Sequence, residues 1–537
     1  MTLSAHAPWR RALALLLVLL TAFAPVAPAA AQVRLPSLGE SASQDLPIGT
    51  ERRLGDQIMR EARRDPEYLD DPVLLEYLQS IWGPLVAAAR QVGNIDADTD
   101  KAFAWEAFLV RDRSVNAFAL PGGFVGAHLG LIAITTTRDQ LAAVMAHELS
   151  HVTQRHIARS IAPQQQASLV AIASLILGVL AASRANNVDM ANAAIMGGQG
   201  AAIQSQLNFS RDMEREADRV GYGLLASAGF SPAGQAAMFD RMDIASRLND
   251  SGGFPYLRSH PMTVDRISEA RSRTLLADVK PSVPTMLHSI MQMRARVLMD
   301  TSIQGLQRLS GATASPAAYD KVAALYAGAL AASLLKDHAR AERQVALALQ
   351  TASTASPRDA QAERALRLLQ AQVLLNAGDA DGCLQTLNML ADGGGTRPAM
   401  LLRSQAALAQ RRAAPQGDVA TLRGSAESLQ IWVAEQPQDA AAWEALAATN
   451  DALGFRLRSM RAGAEARAVL GDLTGAIDRL RAAQSFSRTA AGQDFIEASV
   501  IDARLRQISN QRRQLAAEMR GDKPDSRKPE PGDETRP

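Results

Sequence analysis

His147-Glu148-Leu149-Ser150-His151 is the stretch on which the reading of this chain turns. If it is helical, two histidines at i and i+4 lie about 40° apart on one face, so both imidazoles can point at one metal ion. The intervening glutamate, about 100° round, can reach a water held by that metal. Zinc needs such a geometry: it takes nitrogen and oxygen ligands tetrahedrally, and a position left to water lowers that water's pKa towards neutrality. The pentapeptide alone arises by chance in on the order of one chain in a hundred of this length, so its surroundings matter. The preceding run LAAVMA is apolar and Ser150 is uncharged, as expected of a helix buried beneath a cleft.

A third ligand is required, and the run SRDMEREAD from Ser210 to Asp218 offers one. Glu214, Asp218 and Gly221 stand at i, i+4 and i+7, on one face of one helix. Glu214 can ligate the metal, and Asp218 can accept a hydrogen bond from the outer nitrogen of a ligating histidine. Gly221 can let the two helices approach closely. Arg215, Glu216 and Arg219 suit a solvated face instead.

Five of the eight histidines fall in one quarter of the chain: His128, His147, His151, His156 and His260. On a continuous helix His156 is half a turn from His147 and faces away, which gives it a core or surface role. His128 lies in a strand-like region and its role stays open. His260 sits between Pro255 and Pro261, outside a regular helix, where a side chain can be delivered into a site.

Elsewhere the sequence sets limits. Lys and Arg number 57 against 55 Asp and Glu, a formal charge of +2, which leaves no electrostatic footprint for a nucleic-acid partner. The single Cys forbids an intramolecular disulfide framework. Trp9-Arg10-Arg11, an apolar stretch and the ending Ala29-Ala30-Ala31 read as a secretory signal peptide over 1–31; an uncleaved membrane anchor is the competing reading. The charged, Pro-rich residues 521–537 read as a disordered tail.

Residues 48–91 carry the period of two amphipathic helices. AFAWEAFLVRD and VNAFALPGGFVGAHLGLIAI read as two strands joined by a turn at Pro121-Gly122-Gly123. Helix follows over 135–160 and again over 210–242. The uncharged run 167–182 reads as a buried helix, with a lipid-facing or substrate-covering helix as the other reading. After Pro281 the composition turns to Ala, Leu, Gln and Arg with no strand-like run. There Ala341, Val345 and Ala348, then Cys383 and Leu387, then Ser425, Leu429 and Trp432, then Ala476, Leu480 and Ala483 mark the second helices of tetratricopeptide-like pairs. Their uneven spacing, wider than a 34-residue unit, implies insertions. Cys383, in a small-residue slot, is a packed thiol.

HELSH and EREAD, with NAFALPGG before them and SHP and Arg266 after, resemble the gluzincin zinc metallopeptidases of the HtpX and CAAX prenyl protease type. The signal peptide and helical repeats narrow the resemblance to the secreted branch of periplasmic β-barrel assembly-enhancing proteases. It implies one zinc ion held by His147, His151 and Glu214, with Glu148 as general base. It also implies that Asn116, Ala117, Phe118, Ala119 and Leu120 form an edge strand for extended substrates, and that His260 is a fourth ligand or regulatory residue, occupying the water position at rest.

The expected fold is mainly α: an α+β zincin-like peptidase domain with a small sheet over 32–280, then a repeat domain over 281–520. The expected function is that of a periplasmic zinc endopeptidase with chaperone-like activity. It would act on misfolded or stalled outer-membrane β-barrel proteins, engage the β-barrel assembly machinery through its repeats and touch the membrane peripherally. The competing reading is a non-proteolytic periplasmic chaperone or assembly scaffold working through the repeats.

Overall fold

The computed structural model describes residues 46–161, 209–248, 255–276, 279–311, 318–390, 395–489 and 494–520. The expected leader over 1–31, the apolar run 167–182 and the expected tail over 521–537 lie outside them. No helix among the described residues is long and apolar enough to cross a membrane.

The chain opens with α1 (Ile48–Ala62), β1 (Tyr68–Leu69), α2 (Pro72–Gln91) and α3 (Ala97–Ala102). Asp71 starts α2 by accepting from the Leu74 amide, and Pro72 fits the first turn because its missing N–H has no helical partner there. Then come β2 (Glu106–Val110), β3 (Ala117–Leu120), β4 (Phe124–His128), α4 (Leu129–Ile134) and α5 (Arg138–Thr153). Three further strands thus stand where the sequence suggested two, and the LGLIAI run expected in a strand is the helix α4.

The sheet order is β1-β2-β4-β3, with β2 and β4 parallel and the outer pairs antiparallel. Gly122 and Gly123 make the β3–β4 turn at φ 78° and 89°, a backbone region that side chains disfavour. Gly55 of α1 packs so closely on this turn that a Cβ there would lie 2.0 Å from the Pro121 carbonyl oxygen.

Helix α5 does not run on to Ser160. It ends at Thr153, Arg155 turns the chain at φ 51°, and α6 (His156–Ile161) starts in a new direction. The helical stretch over 210–242 is likewise two helices, α7 (Arg211–Ser227) and α8 (Ala233–Leu248), separated by Gly229 at φ 82° and by Pro232. The short α9 (Tyr256–Ser259) and then α10 (Val264–Leu276) complete this region.

All remaining described elements are helical: α11 (Met286–Met299), α12 (Ile303–Ser310), α13 (Ala318–Leu334), α14 (His338–Ser353), α15 (Ala360–Asn376), α16 (Ala380–Asn388), α17 (Arg397–Ala413), α18 (Ala420–Glu435), α19 (Ala440–Ala452), α20 (Arg456–Val469), α21 (Leu473–Ser487) and α22 (Phe495–Arg520). The fold is mainly α, with its small mixed sheet in the N-terminal part. Ala341, Val345 and Ala348 are buried on α14, Cys383 and Leu387 on α16, Ser425 and Leu429 on α18, and Ala476, Leu480 and Ala483 on α21; Trp432 is half-buried. The uneven spacing has a structural cause: one helix separates α14 from α16 and α16 from α18, but two, α19 and α20, separate α18 from α21. Burial lifts the Cys383 thiol to about 11, so it is a packed, unreactive group.

One buried core runs from Trp82 on α2 through Leu131 and Leu149 to Ile290 on α11, Tyr326 on α13 and Leu369 on α15. Polar contacts also join the two halves. Buried Arg294 forks onto Asp71 at 2.7 Å twice, Arg364 pairs with Glu76 at 2.7 Å, and Arg397 pairs with Asp70 at 2.7 Å. Farther on, Arg64 of the region after α1 donates to the carbonyls of Leu470 and Gly471.

Candidate metal centre

Helix α5 is buried almost throughout, capped by Thr137, and carries His147, Glu148 and His151 into the interior. Helix α7, capped by Ser210, brings Glu214 and Asp218 against it. Gly221 makes the contact close: a Cβ there would stand 3.3 Å from the backbone of Ala146 and His147. The third contribution comes from the end of α9. The His260 amide donates to Tyr256 O at 2.8 Å, the Tyr256 ring stacks on the His260 ring, and the Tyr256 amide donates to Val115 O, just before β3.

These elements gather His147, His151, Glu214 and His260 so that one donor atom of each lies within 4.8 Å of the others. His147 Nε2 is 3.0 Å from His151 Nε2 and 3.3 Å from His260 Nδ1. Glu214 is 2.9 Å from His260 Nδ1 and 3.5 Å from both His147 Nε2 and His151 Nε2. Four ligands at bonds of about 2.0–2.1 Å would stand roughly 3.3 Å apart at the corners of a tetrahedron. The observed separations bracket that value. Imidazole nitrogens with one carboxylate are a donor set for zinc or a similar divalent ion. The residues therefore fit a metal.

Charge supports the same conclusion. Burial works to lower the His147 imidazole, but Asp218 and Glu214 outweigh it and raise the ring to about 10. Burial and the neighbouring His147 push His151 well below its ordinary value. Burial opposes ionisation of Glu214, yet His260 and His147 hold its carboxyl well below the usual range. Ionised carboxylate and packed imidazoles in one dry place form a site that a cation completes.

Glu148 stands beside this group and outside it. Its carboxylate is fully buried, and among the described residues neither oxygen takes part in a hydrogen bond; the nearest ring nitrogen, His260 Nε2, is 3.6 Å away. Asp218 Oδ1 lies 3.0 Å from His147 Nδ1, the nitrogen turned away from the group.

Three residues have parts that local spacing did not reveal. Arg266 grips both Asp218 oxygens, at 2.6 and 2.9 Å, and reaches Glu214 at 2.8 Å, bracing the acidic face of α7. His156, expected to face away from the site, is buried against His151 with Nδ1 atoms 2.8 Å apart, because the helix ends before it. Glu216, expected on a solvated face, is 3.1 Å from His156 Nε2. A second histidine five residues past the motif was the visible trace of this arrangement; Arg266 was marked only by the family resemblance, without a role. His128 lies apart, its Nδ1 3.0 Å from Ser114 Oγ and its ring edge-on to Phe118.

Of the expected edge-strand residues, Ala117, Phe118, Ala119 and Leu120 form β3, and Asn116 precedes it, its carbonyl accepting from the His128 amide. β3 ends the sheet, with β4 on one side and no further strand among the described residues on the other. Helix α5 lies against β3.

Residues 85–274 match the model of Peptidase family M48. Over 239 residues the chain is 33% identical to the Beta-barrel assembly-enhancing protease of Escherichia coli, a stretch covering 44% of this chain and 47% of that protein. The protein of the same name from Yersinia pestis is 27% identical over 490 residues, 89% of this chain and 92% of its own length. The Mitochondrial metalloendopeptidase OMA1 of Schizosaccharomyces pombe is 29% identical over 248 residues, 45% of this chain and 70% of that one. At the higher identities the chain spans about half the length of the curated relatives it matches. Residues 85–274, which hold His147, Glu148, His151, Glu214 and His260, are thus the part of the chain that matches peptidase family M48.

Proposed function

We propose that this protein is a zinc endopeptidase of the periplasm, exported by a cleaved leader, that cuts misfolded or stalled outer-membrane β-barrel proteins. The observation that carries the reading is the buried Glu148 carboxylate, without a hydrogen bond among the described residues, beside the group of three histidines and a glutamate. His147, His151 and Glu214 would hold the zinc, with His260 as a fourth donor. Zinc held there supplies Lewis-acid activation of water and of the scissile carbonyl.

Glu148 takes the proton of the attacking water and returns it to the leaving amide nitrogen. It is free to do so because no hydrogen bond among the described residues engages its oxygens. An extended substrate adds along the open edge of β3, which lies against α5 and so runs past the same residues. The substrate class is suggested by the names of the bacterial relatives. The helices after α11 provide a surface for a chain in extended form and for the barrel-assembly machinery, and the apolar run 167–182 is a candidate for peripheral membrane contact.

The test is metal analysis paired with casein cleavage by the wild type and Glu148→Gln. The substitution is expected to lower kcat by about 10²–10⁴-fold while zinc content stays the same. Equal cleavage by both forms would remove Glu148 from the mechanism. Full complementation of a deletion strain by Glu148→Gln would make the scaffold reading the main function.

A further inference from the structure

His156 connects the metal centre to a carboxylate on another helix. Its Nδ1 lies 2.8 Å from His151 Nδ1, and its Nε2 lies 3.1 Å from Glu216 Oε2. Both rings are fully buried. His151 Nε2 faces His147 and Glu214, so a metal in that group takes His151 through Nε2. A histidine ligating through Nε2 is neutral and carries its proton on Nδ1. His151 therefore donates through Nδ1, His156 accepts at Nδ1, and the one proton of a neutral His156 sits on Nε2, pointing at Glu216. The ligand end fixes every donor and acceptor along the line. Arg159 Nη1, 3.0 Å from the same Glu216 oxygen, holds the far end.

A backbone turn puts His156 there. Arg155 adopts φ 51°, a region uncommon for residues other than glycine. Its buried guanidinium is fastened to Glu51 Oε2 at 2.9 and 3.0 Å and to the Leu46 carbonyl at 2.5 Å. Had α5 continued, His156 would lie about 140° round from His151. The ion pair to α1 thus keeps the turn that folds His156 back.

We propose that His156 and Glu216 are positioning residues that fix the tautomer and ring plane of His151, as Asp218 does for His147. Helix α7 then serves three purposes: Glu214 joins the donor group, Asp218 steadies one histidine, and Glu216 steadies the other through His156. This rests on the reading of His147, His151 and Glu214 as metal ligands.

Zinc affinity of the full chain, measured by competition with a chromophoric chelator, tests the relay alongside thermal unfolding of the metal-free protein. His156→Phe is expected to weaken zinc binding about ten- to hundredfold, and Glu216→Ala roughly tenfold. Glu216→Gln keeps a carbonyl acceptor and should stay within about threefold of wild type. The metal-free melting temperatures of the Glu216 variants separate a loss of zinc affinity from a loss of fold, since that side chain is only 11% exposed and also pairs with Arg159.

Zinc bound within about twofold of wild type by His156→Phe and Glu216→Ala would overturn the relay. So would a loss in Glu216→Ala that Glu216→Gln does not recover. If His156→Phe fails to fold, the two Glu216 variants decide. A wild-type chain without zinc affinity would overturn the ligand reading and the relay together; wild-type affinity with unaffected variants overturns the relay alone.

Discussion

Glu148 and His260 set the chemistry against each other at the distance of one contact, 3.6 Å. A buried carboxylate without hydrogen bonds is costly to keep, and such groups persist where a reaction uses them. His260 presents Nδ1 to the donor group while Nε2 faces Glu148, and under the proposed function it would occupy the place of the attacking water. Replacing His260 with Ala is expected to raise casein cleavage severalfold at unchanged zinc content. Unchanged or lost cleavage would assign His260 a catalytic or structural part instead. The types and spacing of His147, Glu148, His151 and Glu214 were legible because one helix turn converts sequence distance into angle. Of the partners of their outer atoms Asp218 was legible too, on the same helix face as Glu214, but His156 behind His151 and Arg266 behind Asp218 were not. Arg266 and Asp218 stand 48 positions apart, and no periodicity links them.

At the scale of elements, closeness between backbones decides what the glycines do. Gly55 on α1 and Gly223 on α7 are both helical, where Gly-to-Ala normally stabilises by about 0.5–1 kcal/mol. At Gly223 a Cβ would meet nothing within 4 Å, so Gly223→Ala should raise the unfolding free energy by about that amount. At Gly55 the added carbon would strike the Pro121 carbonyl, and Gly55→Ala should cost about 1–3 kcal/mol as the β3–β4 turn is displaced. Urea unfolding of the two variants checks the opposite signs. Periodicity located most helices yet fused those that end at a turn. Gly229 and Pro232 could be read as a break between α7 and α8. The end of α5 could not, because Arg155 takes its conformation against Glu51, 104 residues earlier.

Across the whole molecule, α11 is the joint between the peptidase part and the later helices, and His288 is its most telling residue. His288 Nε2 donates to the Thr135 carbonyl at 3.0 Å and Nδ1 accepts from Tyr77 at 2.7 Å, which uses both nitrogens of a neutral ring. Burial lowers its pKa to about 4, against the ordinary value of 6.5. The unfolded chain therefore takes up the proton first. The contribution is intact above pH 6.5 and is lost as pH falls towards 4, amounting to on the order of 3 kcal/mol. Urea titrations at pH 7.5 and pH 5 should show a smaller loss of stability for His288→Gln than for wild type; equal losses would place the acid sensitivity elsewhere.

By itself the sequence determined the helix bearing HELSH, the second helix bearing EREAD, and the mainly helical composition after residue 280, because helical period and side-chain chemistry are local properties. The tertiary structure alone decided how His151 is held, which arginine braces α7, and where α5 stops. Those outcomes depend on buried partners supplied by distant segments, and a buried donor takes whichever acceptor folding brings to it.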